Sequence, residues 1–336
     1  MRLIDLHVDW LLQYANESVV FDPTLYAGAE TRQGQASGYL QACRAAILSC
    51  FRRSEDWAGQ SDPWRALGEL ITRIEAEFSG RLLIGPDDFD RWEDDRDGMA
   101  WGLIGIEGFD ALVRSADDLP RVSGLFDRGV RLFQPVYTEA NVLAGSSVVG
   151  DERGLTDLGY VFLETLLNLS DENSRPRPIF DLAHLNQRAT SDVLEWFSAD
   201  PDRLGRVLLV YSHGAPAHPG FDTPRALSIA NVTRLRELGG IIGLGISPPF
   251  FQTSAEIKQA IETIAAIPFQ GRLTHEGIAV GTDFLGVNQT LTGLSTADEV
   301  VDWFQSQFDR GTAKDLLHDN ALSLIARSTG GRRSGG

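Results

Sequence analysis

Eight short apolar runs recur along the whole chain, each separated from the next by enough residues for a helix. They are residues 2–9 (RLIDLHVD), 45–51 (AAILSCF), 99–107 (MAWGLIGIE), 130–137 (VRLFQPVY), 178–184 (PIFDLAH), 206–213 (RVLLVYSH), 240–247 (GIIGLGIS) and 278–284 (IAVGTDF). Amphipathic helical periodicity fills residues 63–78, 116–127, 157–169, 187–197, 225–238 and 255–267, and two further stretches, 296–308 and 312–326, follow the eighth run. Strands that are almost continuously apolar, each followed by a helix, imply a parallel sheet covered on both faces. Eight such units predict an α/β fold, a closed (β/α)8 TIM barrel. A doubly wound sheet would carry a glycine-rich phosphate turn after its first strand, whereas DWLLQYAN follows here. No linker, repeat or composition shift divides the 336 residues, so 1–327 are expected to form one domain and 328–336 (STGGRRSGG) a disordered tail. Residues 11–44 lack clear periodicity and are expected to elaborate the first βα loop over the barrel mouth.

Charge narrows the partners. Asp and Glu outnumber Lys and Arg by 47 to 30, for a formal net charge of -17, and no basic run exceeds two residues. A phosphate-backbone binder needs clustered cations, so nucleic acid and anionic membrane surfaces are not expected partners. No stretch approaches the roughly 18 apolar residues of a membrane span. The N-terminal MRLIDLHVDW places charge inside its apolar run and lacks a cleavage site, which reads as a cytoplasmic, unexported chain. The two cysteines, Cys43 and Cys50, form neither a disulfide framework nor a C-x-x-C thiolate site. Any metal must therefore be held by histidine and carboxylate.

In a (β/α)8 barrel the chemistry sits at the C-terminal ends of the strands. Those ends carry His7 and Asp9, Glu107, Tyr137, His184, His213 and Asp283. His7 and Asp9 are two apart, so on a strand both side chains point the same way, here inward. Buried unpaired charges cost several kcal/mol each, so a core would not gather this set without cations to neutralise it. His and carboxylate ligands suit zinc, and other divalent transition metals as well. Five ligands, His7, Asp9, Glu107, His184 and His213, exceed what one catalytic ion uses. They fit two ions about 3.5–4 Å apart, bridged by one carboxylate and a hydroxide. Glu107 is the natural bridge because its strand lies between the two histidine-bearing groups. A carboxylated lysine is excluded as the bridge, since Lys258 and Lys314 lie in helical stretches. Asp283 either ligates a metal or handles the proton of the attacking water.

The ordered motifs DLHVD, GIEG, GVRLFQPVY, GLTDLG, DLAH, YSHG, GTDF and the C-terminal HDNALSLIAR resemble the membrane (renal) dipeptidase family of binuclear zinc peptidases, within the amidohydrolase-like metallo-dependent hydrolase barrels. The resemblance extends from His7 nearly to the C-terminus. It implies one zinc on His7, Asp9 and Glu107, a second on Glu107, His184 and His213, and Asp283 as the acidic residue handling the water's proton. It further implies that Arg225, twelve residues after His213, clamps the substrate's terminal carboxylate, a role suited to a guanidinium fork. The middle residue of the family's H-N-D is Val8 here, expected to point outward. Where the family has a histidine contacting the scissile carbonyl oxygen, this chain has Tyr137, which donates a hydrogen bond but carries no positive charge.

The function implied is hydrolysis of the amide bond of dipeptides, including those with a C-terminal D-residue, or of acylated amino acids. Two alternatives stay open: a lactone, N-acyl or other amide or ester hydrolase exploiting Tyr137, and a catalytically silent barrel that binds a ligand. A homodimer is compatible with either, since related barrels form dimers. His218, His275 and His318 belong to no convergent set, with His218 expected in a solvated loop and His275 at the opposite, stability face. Trp10, Tyr14 and Tyr26 follow the first ligands and could either wall a substrate or cover core.

Overall fold

In this computed structural model of the chain, the described residues are 1–10, 36–51, 62–95, 98–138, 141–148, 150–170, 176–287 and 289–332. Eight strands lie in one sheet in sequence order: β1 (Leu3–Val8), β2 (Cys43–Phe51), β3 (Trp101–Glu107), β4 (Val130–Gln134), β5 (Ile179–Asp181), β6 (Leu208–Tyr211), β7 (Ile241–Leu244) and β8 (Ile278–Val280). Every neighbouring pair is parallel. The sheet closes on itself where Val8 bridges Phe284, with the Asp9 amide donating to Phe284 O (3.0 Å) and the Asp283 amide to His7 O (3.1 Å). This is the expected (β/α)8 barrel, and its seam runs beside the first ligand pair.

Burial explains the apolar runs. All six residues of β1 and all seven of β3 are buried, because one strand face meets the barrel interior and the other the surrounding helices. On β1, Ile4, Leu6 and Val8 alternate with Asp5 and His7, so one parity supplies apolar packing and the other the polar groups.

Helix starts are set by side-chain caps, which fix where each strand-to-helix loop ends. Pro63–Glu77 (α2) begins at Asp62, Asp157–Leu167 (α5) at Thr156, Gln187–Ala199 (α6) at Asn186, Ser254–Ala265 (α8) at Thr253 and Ala297–Gln307 (α9) at Thr296. Leu119–Asp127 (α4) is preceded by a short 3-10 turn, Ala116–Asp118. Two short helices were not anticipated: Ala36–Ala42 (α1) and Pro86–Asp94 (α3). The second is so acidic that Phe89 and Trp92 are its only two fully buried side chains.

Three expectations about segments need correction. Helical structure was expected over 225–238, but Ser228 caps Asn231 N and Ile229–Glu237 (α7) starts there, leaving Arg225 in the loop. The expected 312–326 helix is Arg310–Lys314 (α10), a π-helical turn at Asp315–Asp319 and Asn320–Thr329 (α11). That last helix continues past 327, with Ser328 and Thr329 buried and both hydroxyls bonded to Ile325 O, so the start of the expected tail is helical; residues 333–336 of it lie outside the described residues. Most of the expected mouth loop, with Tyr14 and Tyr26, lies outside the described residues. Among the described residues no helix is long and apolar enough to cross a membrane.

Candidate metal centre

At the C-terminal end of the barrel the six predicted acidic and imidazole side chains meet. Glu107, on the last residue of β3, is 2 % exposed and lies between two groups. Its Oε2 is 3.2 Å from His7 Nε2, and its Oε1 is 3.2 Å from His184 Nε2 and 3.7 Å from His213 Nε2. His7 Nε2 is also 3.4 Å from Asp9 Oδ1 and 3.8 Å from Asp283 Oδ1. Ligand atoms of His7, Asp9 and Glu107 lie within 4.8 Å of one another, as do those of Glu107, His184 and His213, and those of His7, His213 and Asp283. The first two sets are the ones expected from the sequence, sharing Glu107.

Two of these residues leave ordinary backbone geometry. His184 and Asp283 sit at φ 64° and 59°, the left-handed region that non-glycine residues rarely occupy. Each costs on the order of 1 kcal/mol or more. The turn ends the ladders of β5 and β8 three residues before His184 and Asp283, which is why those strands are shorter than the apolar runs.

Electrostatics favour a cation here. Burial raises the Asp9 carboxyl well above its ordinary value, with Glu107 adding to the effect, and burial pushes Asp283 up to about 6. Burial alone would raise Glu107, but His7, His184 and His213 hold it well below the usual range. Burial opposes protonation of His7, yet Glu107 and Asp9 outweigh it and keep that ring's pKa well above normal. Burial and Arg225 push His184 down to about 4, and burial with His7 and Arg225 holds His213 well below normal, which favours the neutral form of both rings. Their Nε2 atoms face each other at 3.1 Å. Two lone pairs at that distance repel unless a proton or a cation lies between them. His7 Nε2 and Asp9 Oδ1 are buried with no hydrogen-bond partner among the described residues, and such orphaned groups are rare in folded proteins. The donor set therefore fits divalent cations.

Outer contacts hold the set in place. Ser49 donates to Glu107 Oε2 (2.7 Å), and Ser212 Oγ meets His213 Nδ1 (2.8 Å), orienting that ring so Nε2 faces inward. Fully buried Asp5 accepts from His7 N (3.2 Å), Thr282 N (2.9 Å), Thr282 Oγ1 (2.6 Å) and Tyr39 Oη (2.7 Å), tying β1 to the Asp283 turn. Asp181 Oδ1 accepts from Ala183 N and Ser212 N, each at 3.0 Å, beside both histidine turns. Sequence reading missed these residues. For Asp5 a signal existed, since it shares strand parity with His7 and Asp9.

A cavity of about 400 Å3 opens over Asp9, Glu107, His184 and Asp283, walled by Tyr137, Arg225, Pro248, Pro249, Phe250 and Val287. Tyr137 lies with its ring 4.8 Å from that of His184. Arg225 rests its guanidinium 4.8 Å from the Phe250 ring centroid, while Tyr211 Oη bonds its carbonyl (2.8 Å). Other candidates lie elsewhere. Trp10 is fully buried and packs on Phe78 with its Nε1 bonded to Glu77, so it covers core. His318 lines a different cavity with Arg2 and Lys314, and His275 precedes β8 at the end away from the metal ligands. His218 is in the expected loop but is engaged on both ring nitrogens.

Known proteins share this fold. Solved structures with the same fold include dipeptidase AC, a metallo peptidase of family M19 (18 % identity, TM-score 0.73, 98 % of this chain and 99 % of that one). A Rhodobacter sphaeroides metallo peptidase liganded with a phosphinate mimic of L-Ala-D-Ala gives 18 % identity and a TM-score of 0.71 over 98 % and 99 % of the chains. Among curated sequences, an uncharacterized dipeptidase of Schizosaccharomyces pombe is 26 % identical over 231 residues, 67 % of this chain and 51 % of that protein. A dipeptidase of Clonostachys rogersoniana is 22 % identical over 76 % of this chain and 63 % of its own length. The match thus spans about half to two thirds of these two relatives. The family model described as membrane dipeptidase, peptidase family M19, matches residues 1–328. With the family model matching nearly the whole barrel, the chain belongs to the membrane dipeptidase family, the M19 metallopeptidases.

Proposed function

We propose that this chain is a binuclear zinc dipeptidase that hydrolyses the amide bond of dipeptides, including those ending in a D-residue. One observation carries the reading: Glu107 turns one oxygen toward His7 and the other toward His184 and His213, as a carboxylate shared by two ions must. His7, Asp9 and Glu107 would hold one ion and Glu107, His184 and His213 the other, in a donor set suited to zinc. Ions bound there would supply Lewis acidity toward the scissile carbonyl and make water ionisable near neutral pH.

The chain's own residues do the rest. Arg225 pairs with the substrate's terminal carboxylate through its guanidinium fork and fixes the peptide along the cavity. Tyr137 donates its hydroxyl hydrogen to the carbonyl oxygen as negative charge develops there. Asp283 Oδ1, within 3.8 Å of His7 Nε2, takes the proton of the attacking water and delivers it to the departing amine. Pro248, Pro249, Phe250 and Val287 form an apolar wall that packs the substrate and excludes bulk water. The Rhodobacter metallo peptidase bound to an L-Ala-D-Ala mimic supports a small peptide with a C-terminal D-residue as substrate.

A second reading keeps the ions and changes the acyl group to a lactone or N-acyl compound, favoured by a neutral tyrosine facing the site. A panel of L,L- and L,D-dipeptides, N-acyl amino acids and lactones, with and without chelator, separates the two. Chelator-sensitive dipeptide turnover, restored by zinc, is expected. Turnover of lactones or N-acyl compounds alone would overturn the dipeptidase reading.

A further inference from the structure

His218 does not touch the cavity, yet it joins the two loops that build its carboxylate end. One loop follows β6 and carries Arg225; the other follows β7 and carries Pro248, Pro249 and Phe250. His218 closes a tight turn with Phe221, bonding N to O in both directions (3.3 and 2.8 Å). The two ring nitrogens have distinct roles. Gly220 N donates to Nδ1 (3.2 Å), so the ring proton sits on Nε2, which donates to Phe250 O (2.9 Å) across the loops.

The ring faces extend the joint. The imidazole stacks on Phe251 with centroids 5.3 Å apart and planes 4° from parallel. Phe221, held by the same turn, packs edge-on against Phe250 at 5.5 Å. Phe250 in turn is the platform under the Arg225 guanidinium, 4.8 Å away. Arg225 Nε is buried and has no hydrogen-bond partner among the described residues. What holds this head in place is the aromatic face beneath it; the Tyr211 hydroxyl fixes the Arg225 main chain at its carbonyl, and among the described residues no carboxylate forms a salt bridge with the guanidinium. A guanidinium with no salt bridge among the described residues is available to a ligand's carboxylate, provided its platform does not move.

We infer that His218 is a positioning residue for substrate carboxylate recognition: by locking Phe250 it sets the seat of Arg225. This deepens the dipeptidase reading and rests on it for the substrate. Loss of the Nε2 bond frees the Phe250 main chain, while the metal ligands lie outside the 218–221 turn and the one nearest in sequence, His213, is held by Ser212 Oγ at its Nδ1. The cost falls on binding of the carboxylate, not on the chemical step.

The test compares wild type, His218→Phe, which keeps the stacking ring but loses both bonds, and His218→Gln, whose amide can still donate to Phe250 O. Each is assayed on a dipeptide and on its C-terminally amidated analogue. One neutral hydrogen bond corresponds to roughly a three- to tenfold change. His218→Phe is expected to raise KM for the free-acid dipeptide by about that factor with kcat little changed, to leave the amide's KM unchanged, and to be largely rescued in His218→Gln. An equal KM change on both substrates, no change on either, or failure of Gln to rescue would overturn it. A readout independent of turnover is the 15N Nε–H resonance of Arg225, assigned by its loss in Arg225→Lys. Displacement from the Phe250 ring current in His218→Phe, and its restoration in His218→Gln, is expected; an unmoved resonance would refute the inference. Absence of dipeptide turnover in wild type would refute the dipeptidase reading alone and leave the resonance to decide the role of His218.

Discussion

Gly286 lies in the turn after Asp283, and a single methyl there tests the geometry of the centre without replacing a ligand. A β-carbon on this residue would lie 2.7 Å from Asp9 Cγ, closer still to Asp9 Oδ2, and 3.2 Å from Asp283 Oδ1. Carbon atoms meet comfortably at roughly 3.5–4.0 Å, so the Asp9 carboxylate must swing away. The backbone offers no obstacle, since Gly286 is not among the residues with positive φ. Gly286→Ala gains about 0.4–1 kcal/mol from a less flexible unfolded chain. Overpacking costs about 1–3 kcal/mol, and the clash is with the mobile end of a side chain, which places the cost at the low end. The metal-free variant should melt within a few degrees of its parent. Metal binding should suffer far more: disturbing groups that merely support a ligand costs about 10–100-fold in affinity, and here the ligand itself moves. Metal analysis after desalting, paired with a dipeptide assay, is the measurement. About one equivalent retained on Glu107, His184 and His213, with activity down at least about 100-fold, is expected. Two equivalents with undiminished kcat would refute the placement of Asp9 as a ligand.

Asp283→Asn should keep both metals while kcat falls by about 10²–10⁴-fold; loss of one equivalent in metal analysis would make Asp283 a ligand instead. Tyr137→Phe should lower kcat by about 10–100-fold with little change in KM, as expected for a hydroxyl that serves the developing oxyanion; an unchanged kcat removes Tyr137 from the chemistry. Cys43 and Cys50 are 0 % and 1 % exposed, and burial raises both thiols. A disulfide-exchange reagent at pH 8 should therefore find no reactive thiol in the folded protein and two after denaturation, whereas a fast native reaction would contradict the burial of the barrel wall.

The barrel was legible because its strands are buried on both faces and its helices are regularly spaced, so the pattern survives any uncertainty in boundaries. The centre was legible for the same reason: in this fold, strand ends converge, and a histidine or carboxylate at the end of an apolar run has one place to go. Other features depend on three-dimensional contacts that no local pattern encodes. The left-handed turns at His184 and Asp283 are one case, because His and Asp, though commoner at positive φ than most side chains, still adopt negative φ in the great majority of positions, and the sequence strands consequently ran on too far. The supporting groups Ser49, Ser212 and Asp181 are another, since their roles follow from register between neighbouring strands. Arg225 was expected in a helix because the apolar spacing begins there, but the capping serine at 228 delays the first turn and leaves the guanidinium over Phe250. His218 read as a solvated loop residue, and only the apposition of a second loop reveals its two bonds.

Metal content per chain of protein purified without chelator, compared between the parent and Glu107→Ala, bears most directly on a centre built around one shared carboxylate. Each predicted ion uses an oxygen of Glu107. Removing it should therefore lower both affinities together, unlike Gly286→Ala, which spares one. About two equivalents of zinc in the parent and little in the variant is the expected result. No bound metal in the parent even after reconstitution, or two equivalents undisturbed in Glu107→Ala, would contradict the bridged centre.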